Sequence, residues 1–598
     1  MKDIYAFVTE EKTGFDKDVN IVDGWDWGFK KHVKRSILYK NSQFEFENEN
    51  RDKRPFKNIV RPILNVQYRT EGFDVKDIEI YVNNPDNYHK SLIVRKFHEK
   101  WALKHGMDTF IDDVVESYVD FGGVLVKDVD DVLPEVVNLS TLAFCDQTDL
   151  LAGAFAIKHN LNPDELRKMK KAGWGEKSKG ATIDLETLIT LAEKQKESDK
   201  ISNATPGKYI EVYEVHGIFE DSWLKREDYT PEEEKKYIPQ MHVIGYYRDD
   251  KGRDVGCSLF AVKEPKLPFK FLARDKIKGR ALGFGGVEEL FEAQVWTNYS
   301  EVQLRELLEQ ASKVLYKTTD PRFKTRNNIS EAKTGQIFDL QEGKDINQLD
   351  TTPRSIVIFE NALLQWEQHA MKIGAASELM LNEAPASGTP FKSVEAQLIE
   401  GHSLHKWRQG KIAVFFDEIY RDWILPKLKR EILKADKFMA MLSVDELQEV
   451  AERMMANEAA GFIKERILKG ELVNTADVEM LKQGVKAELL KGGRKKFMEI
   501  VKDEFAEDEL DVFTNIIGKQ KNLALLTDKV VNVLRQFIAA PQMRQDPEMI
   551  KLLNVILESS GLSPIIFGAS PMAMPAPQGG GNTAQMQAMG QMNMANAQ

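Results

Sequence analysis

The stretch Gly279-Arg-Ala-Leu-Gly-Phe-Gly-Gly286 opens the part of the chain that decides the fold. Apolar residues at helical spacing follow it and predict a long helix over about Val287 to Val314. A second long helix is predicted over about Ser355 to Ala376, and a third from Ser393 to Leu433, with a kink at Pro426. About forty residues of helix measure roughly 60 Å, which is longer than a single globular core needs.

The segment between the first two helices is basic and β-like. Tyr316 to Arg326 is locally basic, and Gly335 to Gly343 predicts a strand that ends in a turn. Two interpretations remain open: a plain β-hairpin insertion, or a module that docks a protein or lies beside DNA, because Arg and Phe together suit an interface. The candidate docking residues are Arg322, Phe323, Lys324 and Arg326.

The N-terminal half is predicted to mix helices with small antiparallel sheets. Ile111 to Tyr118 has the apolar face of a helix, and Asp120 to Val129 predicts a turn followed by a strand. Asn162, with Pro163 after it and Glu165 three residues on, predicts a capped helix start. Four further segments predict strands: Pro134 to Ser140, Tyr209 to His216, Met241 to Tyr247 and Cys257 to Val262. The expected fold class is therefore α+β, mainly helical.

The C-terminal part divides into two regions of different composition. Beyond Ala435 the chain is polar and predicted to be helical, with a capping box at Ser443 to Glu446. From Ser570 onward a Pro/Met/Gln/Gly-rich sequence lacks charged and aromatic residues. Such a composition cannot bury a core, so we expect this tail to be disordered unless a partner orders it.

Composition and charge restrict the classes of function. The chain has 598 residues, a net charge of −11 and two cysteines, Cys145 and Cys257, too few for a disulfide framework. It has no apolar run near the length of about 18 that spans a bilayer, and Met1 to Val8 does not resemble a signal peptide. A reduced intracellular assembly without a membrane is expected. The charge argues against a general nucleic-acid coat but leaves open DNA that must slide past without sticking.

Catalytic patterns are weak throughout the sequence. The Gly-Lys-Ser/Thr phosphate loop of an ATP-driven motor is missing. His402 and His405 lie one helical turn apart, but no carboxylate pattern completes a metal site, and a packed or exposed pair is the favoured interpretation. We expect no catalytic residue, no cofactor and no metal.

The order of elements from about Ile111 to Leu433 resembles the portal protein of tailed bacteriophages, the ring at the single special vertex of the head. Tyr118-Val-Asp-Phe-Gly-Gly-Val-Leu-Val126, with Pro134-Glu-Val-Val137, is similar to a wing segment of that family. Gly279 to Leu290 is similar to the glycine-marked start of its first stem helix. The region beyond Ala435 is longer than in smaller portals, so its role stays open.

The resemblance implies a portal-type fold with wing, stem, clip and crown regions. The corresponding parts are an N-terminal wing (1–278), a first stem helix (279–314), a clip (315–354), a second stem helix (355–376), a tunnel loop (377–392), a long wing helix (393–434), a helical crown (435–569) and the disordered tail (570–598). A plain connector between helices is the alternative for the tunnel loop.

The resemblance also implies partners. The chain would form a ring, usually of twelve subunits, in the virion, assembled in the host cytoplasm. Its wing would meet the major capsid protein, and its clip would meet the terminase large subunit and later the head-tail adaptor protein. Double-stranded DNA would pass through the channel beside the tunnel loop. The candidate loop residues are Glu378, Leu381, Glu383, Pro385, Ser387, Gly388, Pro390 and Lys392. The rival interpretation is another structural virion protein, such as a neck or internal core component, without a DNA channel.

Overall fold

The protein is represented by a computed structural model, which is described here over the greater part of residues 3–376 and 403–433 and over short stretches further on. The described residues are 3–45, 56–82, 88–130, 132–195, 209–224, 236–248, 254–313, 315–321, 323, 337, 340, 342–349, 356–376, 403–433, 455, 459, 462–463, 465–466, 468–469, 476–484 and 510–514. All of them belong to the compact unit Met1–Lys519.

The fold is α+β and mainly helical, as the sequence predicts. The α-helices are α1 (Ile4–Gly14), α2 (Phe29–Lys40), α3 (Val60–Glu71), α4 (Tyr88–His105), α5 (Met107–Phe121), α6 (Pro163–Lys168), α7 (Leu185–Gln195), α8 (Gly286–Ala311), α9 (Ile356–Ile373), α10 (Ser403–Ile419) and α11 (Leu425–Leu433). None of the described helices is long and apolar enough to cross a bilayer.

The strands pair antiparallel, and the longest are three neighbouring strands of 10 to 12 residues. They are β1 (Val19–Val22), β2 (Trp25–Trp27), β3 (Ile78–Val82), β4 (Gly123–Lys127), β5 (Glu135–Val137), β6 (Leu142–Phe144), β7 (Phe155–Leu161), β8 (Ile210–Glu220), β9 (Tyr237–Arg248), β10 (Asp254–Lys263), β11 (Phe269–Ala273), β12 (Leu315–Thr318), β13 (Ile346–Leu349) and β14 (Leu510–Thr514). They form a five-stranded sheet in the order β10-β9-β8-β7-β6, a three-stranded sheet β11-β4-β5, and the pairs β1-β2, β12-β13 and β14-β3.

Local predictions in the N-terminal half are confirmed. The alternating segments near residues 209, 241 and 257 form the neighbouring strands β8, β9 and β10. The Asn162 side chain accepts a hydrogen bond from the Glu165 N–H, and the Glu165 carboxylate accepts one in return from the Asn162 N–H. This reciprocal capping box begins α6 where the sequence places it.

The largest hydrophobic core lies where α3, α5 and α10 pack together. The predicted apolar face of α5 is buried, with Val114 and Tyr118 fully enclosed. Leu64 of α3 and Phe416 of α10 belong to the same core cluster. α10 is followed by a π-helical turn, Tyr420–Ile424, directly before Pro426. Proline has no N–H to donate to the preceding turn, and the helical bonding changes at this point.

Two glycine segments that are far apart in sequence meet beside this core. Gly122 ends α5 with a φ of +78°, and its carbonyl accepts hydrogen bonds from the N–H groups of Arg274 (2.9 Å) and Gly283 (3.0 Å). A Cβ on Gly122 would lie 2.7 Å from the Gly285 nitrogen, and one on Gly283 would lie 2.9 Å from the Gly122 carbonyl oxygen. The chain that leads into α8 therefore packs backbone to backbone on the α5–β4 turn, which explains its glycines.

One region departs from the sequence prediction. Residues 435–569 are predicted to be helical, but Leu510–Thr514 forms β14, which pairs with β3 in a register that places Val512 opposite Ile80. Val, Phe and Thr favour strands, and β3 has no other strand partner among the described residues. The prediction of a wholly helical region is wrong for these five residues. The predicted tail, 570–598, lies outside the described residues.

Candidate functional site

The candidate site is an antiparallel hairpin formed by the two long helices α8 and α9. Trp296 of α8 stacks on Trp366 of α9, with ring centroids 6.0 Å apart and an interplanar angle of 7°. Gly374, just after α9, lies beside Leu290 near the start of α8. Contacts therefore move toward the start of α8 as α9 proceeds, so the helices are antiparallel. The 26 residues of α8 make it about 39 Å long.

The base of the hairpin is held by a buried glutamine. Gln294 of α8 accepts a hydrogen bond from the Ile59 N–H (2.9 Å) and donates one to the Lys57 carbonyl (2.7 Å). Ile59 is the N-cap residue of α3 and has no oxygen in its side chain to cap that helix. Gln294 therefore satisfies the start of α3 from another helix, which joins α8 to the core around α3.

A buried ionic network fixes the same base. The guanidinium of Arg274, after β11, contacts Glu71 at the end of α3 (2.7 Å) and Glu289 in the first turn of α8 (3.4 Å). Arg408 of α10 contacts Glu289 (2.6 Å) and Asp275 (2.6 Å). Four separate parts of the chain are thereby connected, through side chains that are almost fully enclosed except for Asp275, which is 25% exposed.

The arginines of this network offset part of the cost of burying its carboxylates. Burial alone would raise the pKa of the Glu71 carboxyl, but Arg274, His405 and Arg408 together hold that pKa below its ordinary value. For Glu289 burial prevails over the two arginines, and its pKa is raised. An arginine removed from such a network would leave carboxylates enclosed without a counter-charge, which is strongly destabilising.

His405 joins the two described ends of the chain on either side of residues 377–402. Its Nδ1 lies 3.1 Å from the Glu71 carboxylate and its Nε2 lies 3.1 Å from the Ala375 carbonyl oxygen. His405 is buried, so the interpretation as a packed histidine is confirmed for this member of the pair. Within the described residues, no group of three or more His, Cys, Asp or Glu side chains could hold a metal ion.

The outer half of the hairpin differs from the base because it is barely buried. α8 has several buried side chains up to Ser300 and none from Glu301 to Ala311, all of which are described. On α9 only Leu363 and Ala370 are buried. The strands β12 and β13 at the far end are mostly exposed. A two-stranded sheet of this kind is marginally stable in water by itself.

Exposed apolar residues lie on two separate flanks of this hairpin. Val357 and Leu364 are 61% and 57% exposed and lie seven residues apart, so they share one side of α9, the first flank. Ile358 (67% exposed) and Ile373 lie on the other side, the second flank, which continues onto α8 through Trp296. At 100° per residue, a polar strip separates the flanks, formed by Asn361, Gln365, Gln368 and Lys372.

The residues that the sequence singled out are only partly described. Phe323 is 3% exposed, so its ring packs within the chain and does not offer a free docking surface there. Lying outside the described residues are the other docking candidates Arg322, Lys324 and Arg326, and the loop candidates Glu378, Leu381, Glu383, Pro385, Ser387, Gly388, Pro390 and Lys392. Sequence reasoning missed the network around Glu71 and Arg408, which lie 337 residues apart.

Comparisons with known proteins add only distant likenesses. No protein-family model matches the sequence, and no curated protein matches it. Solved structures that are similar include the virion of a native gene transfer agent particle, at 11% identity over 77% of this chain and 96% of that chain, with a TM-score of 0.28. The neck of the native particle, computed with C12 symmetry, is 10% identical over 78% of this chain and 98% of that one, and its TM-score is 0.29. The neck of the empty particle, computed with C6 symmetry, is 9% identical over 78% and 100% of the two chains, also with a TM-score of 0.29. TM-scores this low do not establish a shared fold.

Proposed function

We propose that this chain is the subunit of a portal-type ring in a phage-like virion, through which double-stranded DNA is packaged and later ejected. The ring would lie at the special vertex of the capsid, next to the major capsid protein, the terminase large subunit and a head-tail adaptor protein. No catalytic role is part of the proposal. The observation that carries it is the presence of two distinct exposed apolar flanks on α9.

Two different flanks favour a ring over a two-fold dimer. In a two-fold dimer the same patch meets itself, so one flank would be used and the other would stay in water. Contacts between the first flank of one copy and the second flank of the next bury both flanks at every step. Head-to-tail contacts of this kind close into a ring when the rotation between copies closes. The polar strip between the flanks then faces away from both neighbours.

The charge of the hairpin supports a channel for DNA. Arg305 is the only cation of α8, against glutamates that include Glu292, Glu301, Glu306 and Glu309. A channel lined by such helices would repel phosphate groups and let DNA slide without adhering. A ring also multiplies the net charge of −11 by its number of subunits.

A single substitution tests the role of the first flank. Leu364→Glu places a charge on the flank without disturbing packing inside the chain, because Leu364 is largely exposed. We expect the purified variant to sediment as a monomer of 68.3 kDa while the unchanged chain sediments as a much larger species. Ile218→Glu is the matched control. Ile218 is 64% exposed and lies on β8, a strand of the five-stranded sheet, not on either flank of the hairpin. A variant that assembles like the control contradicts the proposed use of this flank.

Mixing two variants tests the head-to-tail arrangement. Leu364→Glu keeps the second flank, and Ile358→Glu keeps the first, so each should be monomeric alone. Mixed at high concentration, they share one intact contact and should form a heterodimer that grows no further. A mixture that rebuilds large assemblies, or that contains only monomers while the unchanged chain assembles, contradicts the pairing of first flank with second flank.

The alternative, a neck or core component without a channel, predicts a different image. Both proteins could assemble through exposed helices, but only a portal leaves an open axis wide enough for duplex DNA. A closed assembly without a central hole would favour the alternative.

A further inference from the structure

A second buried ionic cluster lies in the wing, between the five-stranded and three-stranded sheets. Its centre is Glu214 of β8, which is 2% exposed in its side chain. Its carboxylate accepts from Lys127 Nζ (2.6 and 2.8 Å) and lies 2.8 Å from Nε2 of His159. Lys127 belongs to β4 of the three-stranded sheet, whereas Glu214 and His159 belong to the five-stranded sheet. The cluster thus connects the two sheets.

His216 completes the cluster and has acceptors at both ring nitrogens. Its Nε2 lies 3.0 Å from Glu214, and its Nδ1 lies 2.8 Å from the Glu264 carboxylate. An ionised carboxylate only accepts hydrogen bonds, and a neutral imidazole has a single N–H to donate. Both contacts are favourable together only when the ring carries two N–H groups and a positive charge. The geometry therefore selects the imidazolium form of His216.

The surroundings of His216 allow few other sources of charge. The ring is fully buried, stacked on Phe155 with centroids 5.3 Å apart and edge-on to Phe269 at 4.7 Å. Its partner across β9 is Met241. Phe269 lies on β11, and neither it nor Met241 titrates. The charged or titratable groups that face the ring, directly or through Glu214, are Glu214 from β8, Glu264 from the segment after β10, His159 from β7 and Lys127 from β4.

We propose that this cluster is a proton-dependent latch that holds the two sheets of the wing together while His216 is protonated and loosens when His216 loses its proton. Deprotonation leaves one of two enclosed carboxylates facing a ring nitrogen that no longer donates. Glu214 keeps its contact with Lys127, but two carboxylates then face one ammonium group in an enclosed place. His216, which also packs edge-on against Phe269 of the three-stranded sheet, no longer holds both carboxylates at the junction of the two sheets. The latch does not depend on the assembly of subunits, because every group in it belongs to one chain.

The direction of the pH dependence follows from the contacts. Burial alone would lower the pKa of His216, but its hydrogen bonds to Glu214 and Glu264 raise that pKa above its ordinary value. A histidine whose pKa is higher in the folded state stabilises the fold fully at pH values below its unfolded pKa of about 6.5. That contribution disappears as the pH rises through the folded pKa. The latch is therefore closed at pH values below the pKa of His216 in the folded chain, and it opens as the pH rises through that pKa.

Hydrogen–deuterium exchange of the full chain tests the latch without requiring a variant to fold. Exchange at the histidine C2 position, followed by mass spectrometry over a pH series, gives a pKa for each histidine. We expect the pKa of His216 to lie above the ordinary histidine value of about 6.5, with the same chain unfolded in urea as the reference. Backbone amides of β4 and β8, corrected for intrinsic exchange, should lose protection as the pH passes through the pKa of His216.

The variant His216→Gln adds a second test. Glutamine offers an uncharged amide that does not titrate, so the pH dependence of protection in β4 and β8 should disappear. His159→Gln is the matched control, because His159 is partly exposed and contacts a single carboxylate; it should keep the pH dependence. The proposal is overturned if the pKa of His216 in the folded chain is at or below its value in the unfolded chain, or if protection of β4 and β8 does not change across its titration.

Discussion

The two ends of α8 lie in opposite surroundings although they belong to one continuous helix. Near its start, Gln294 and Thr297 are buried and the Glu289 side chain is 8% exposed. This end of α8 contacts α3 and α10 and follows the glycine turn, where Gly122 meets Gly283 and Gly285. Beyond Ser300 its side chains are exposed or half-buried, and the same holds for β12 and β13. The base of the hairpin therefore stabilises the fold of a single chain, whereas the outer half exposes surface that packs against nothing within the described part of that chain.

The largest effect on folding should come from the ionic network at the base. Arg408→Met removes the counter-charge of Glu289 and Asp275 and should lower the free energy of unfolding by about 3–5 kcal/mol. Urea unfolding measures it, in a Leu364→Glu background so that assembly does not contribute.

Arg305→Met is the control from the outer half. Arg305 pairs with Glu309 on the exposed surface, with both side chains more than half exposed, so its loss should change stability by less than about 0.5 kcal/mol. Equal effects of the two substitutions would remove the distinction between base and outer half.

A substitution at Gly122 should give the next largest loss of stability. Gly122→Ala adds a Cβ that overlaps the backbone around Gly283 and Gly285 and places alanine at a φ of +78°, so we expect a loss of about 2–4 kcal/mol. Gly343→Ala, in the outer part, has a φ of +79° but no neighbour within 4 Å. It should lose only about 1 kcal/mol from backbone strain. Thermal or urea unfolding measures both losses of stability. Similar losses in the two variants would mean that the backbone around Gly122 moves to accept the added Cβ at little cost.

The sequence could predict what depends on local patterns. It predicted helices over Val287 to Val314 and Ser355 to Ala376, and these are found as Gly286–Ala311 and Ile356–Ile373. The sequence predicted a turn at Gly122 and a glycine-rich start of the first long helix, but not that these two segments pack on each other. Partners such as Glu71 and Arg408 could not be predicted, because a contact between residues 337 apart leaves no periodic signal. For the same reason the sequence does not predict β14 inside the helical region, since its partner β3 lies at the other end of the chain.

A smaller loss is expected when Gln294 no longer caps α3. Gln294→Ala leaves the N–H groups of Ile59 and Val60 without their buried acceptor and should lower the unfolding free energy by about 1–2 kcal/mol. Gln310→Ala on the exposed end of the same helix should have almost no effect. If both changes are equally mild in urea unfolding, solvent satisfies the start of α3 and the cap is not structural.

The smallest effect on folding should accompany the largest effect on assembly. Leu364→Glu should have an unfolding free energy within about 0.5 kcal/mol of that of the unchanged chain, when both are measured unassembled in dilute solution. The reason is that no internal packing is lost. A large loss of stability in this variant would show that Leu364 packs inside the chain, and the first flank would then not be an assembly surface.

The central claim is that copies of this chain join head to tail into a closed ring with an open axis. Electron microscopy of the purified full-length protein tests it most directly, through class averages of particles viewed end-on. We predict a closed ring of identical subunits around a central hole wide enough for duplex DNA. Monomers, two-fold dimers, filaments or closed particles without a hole would contradict the claim.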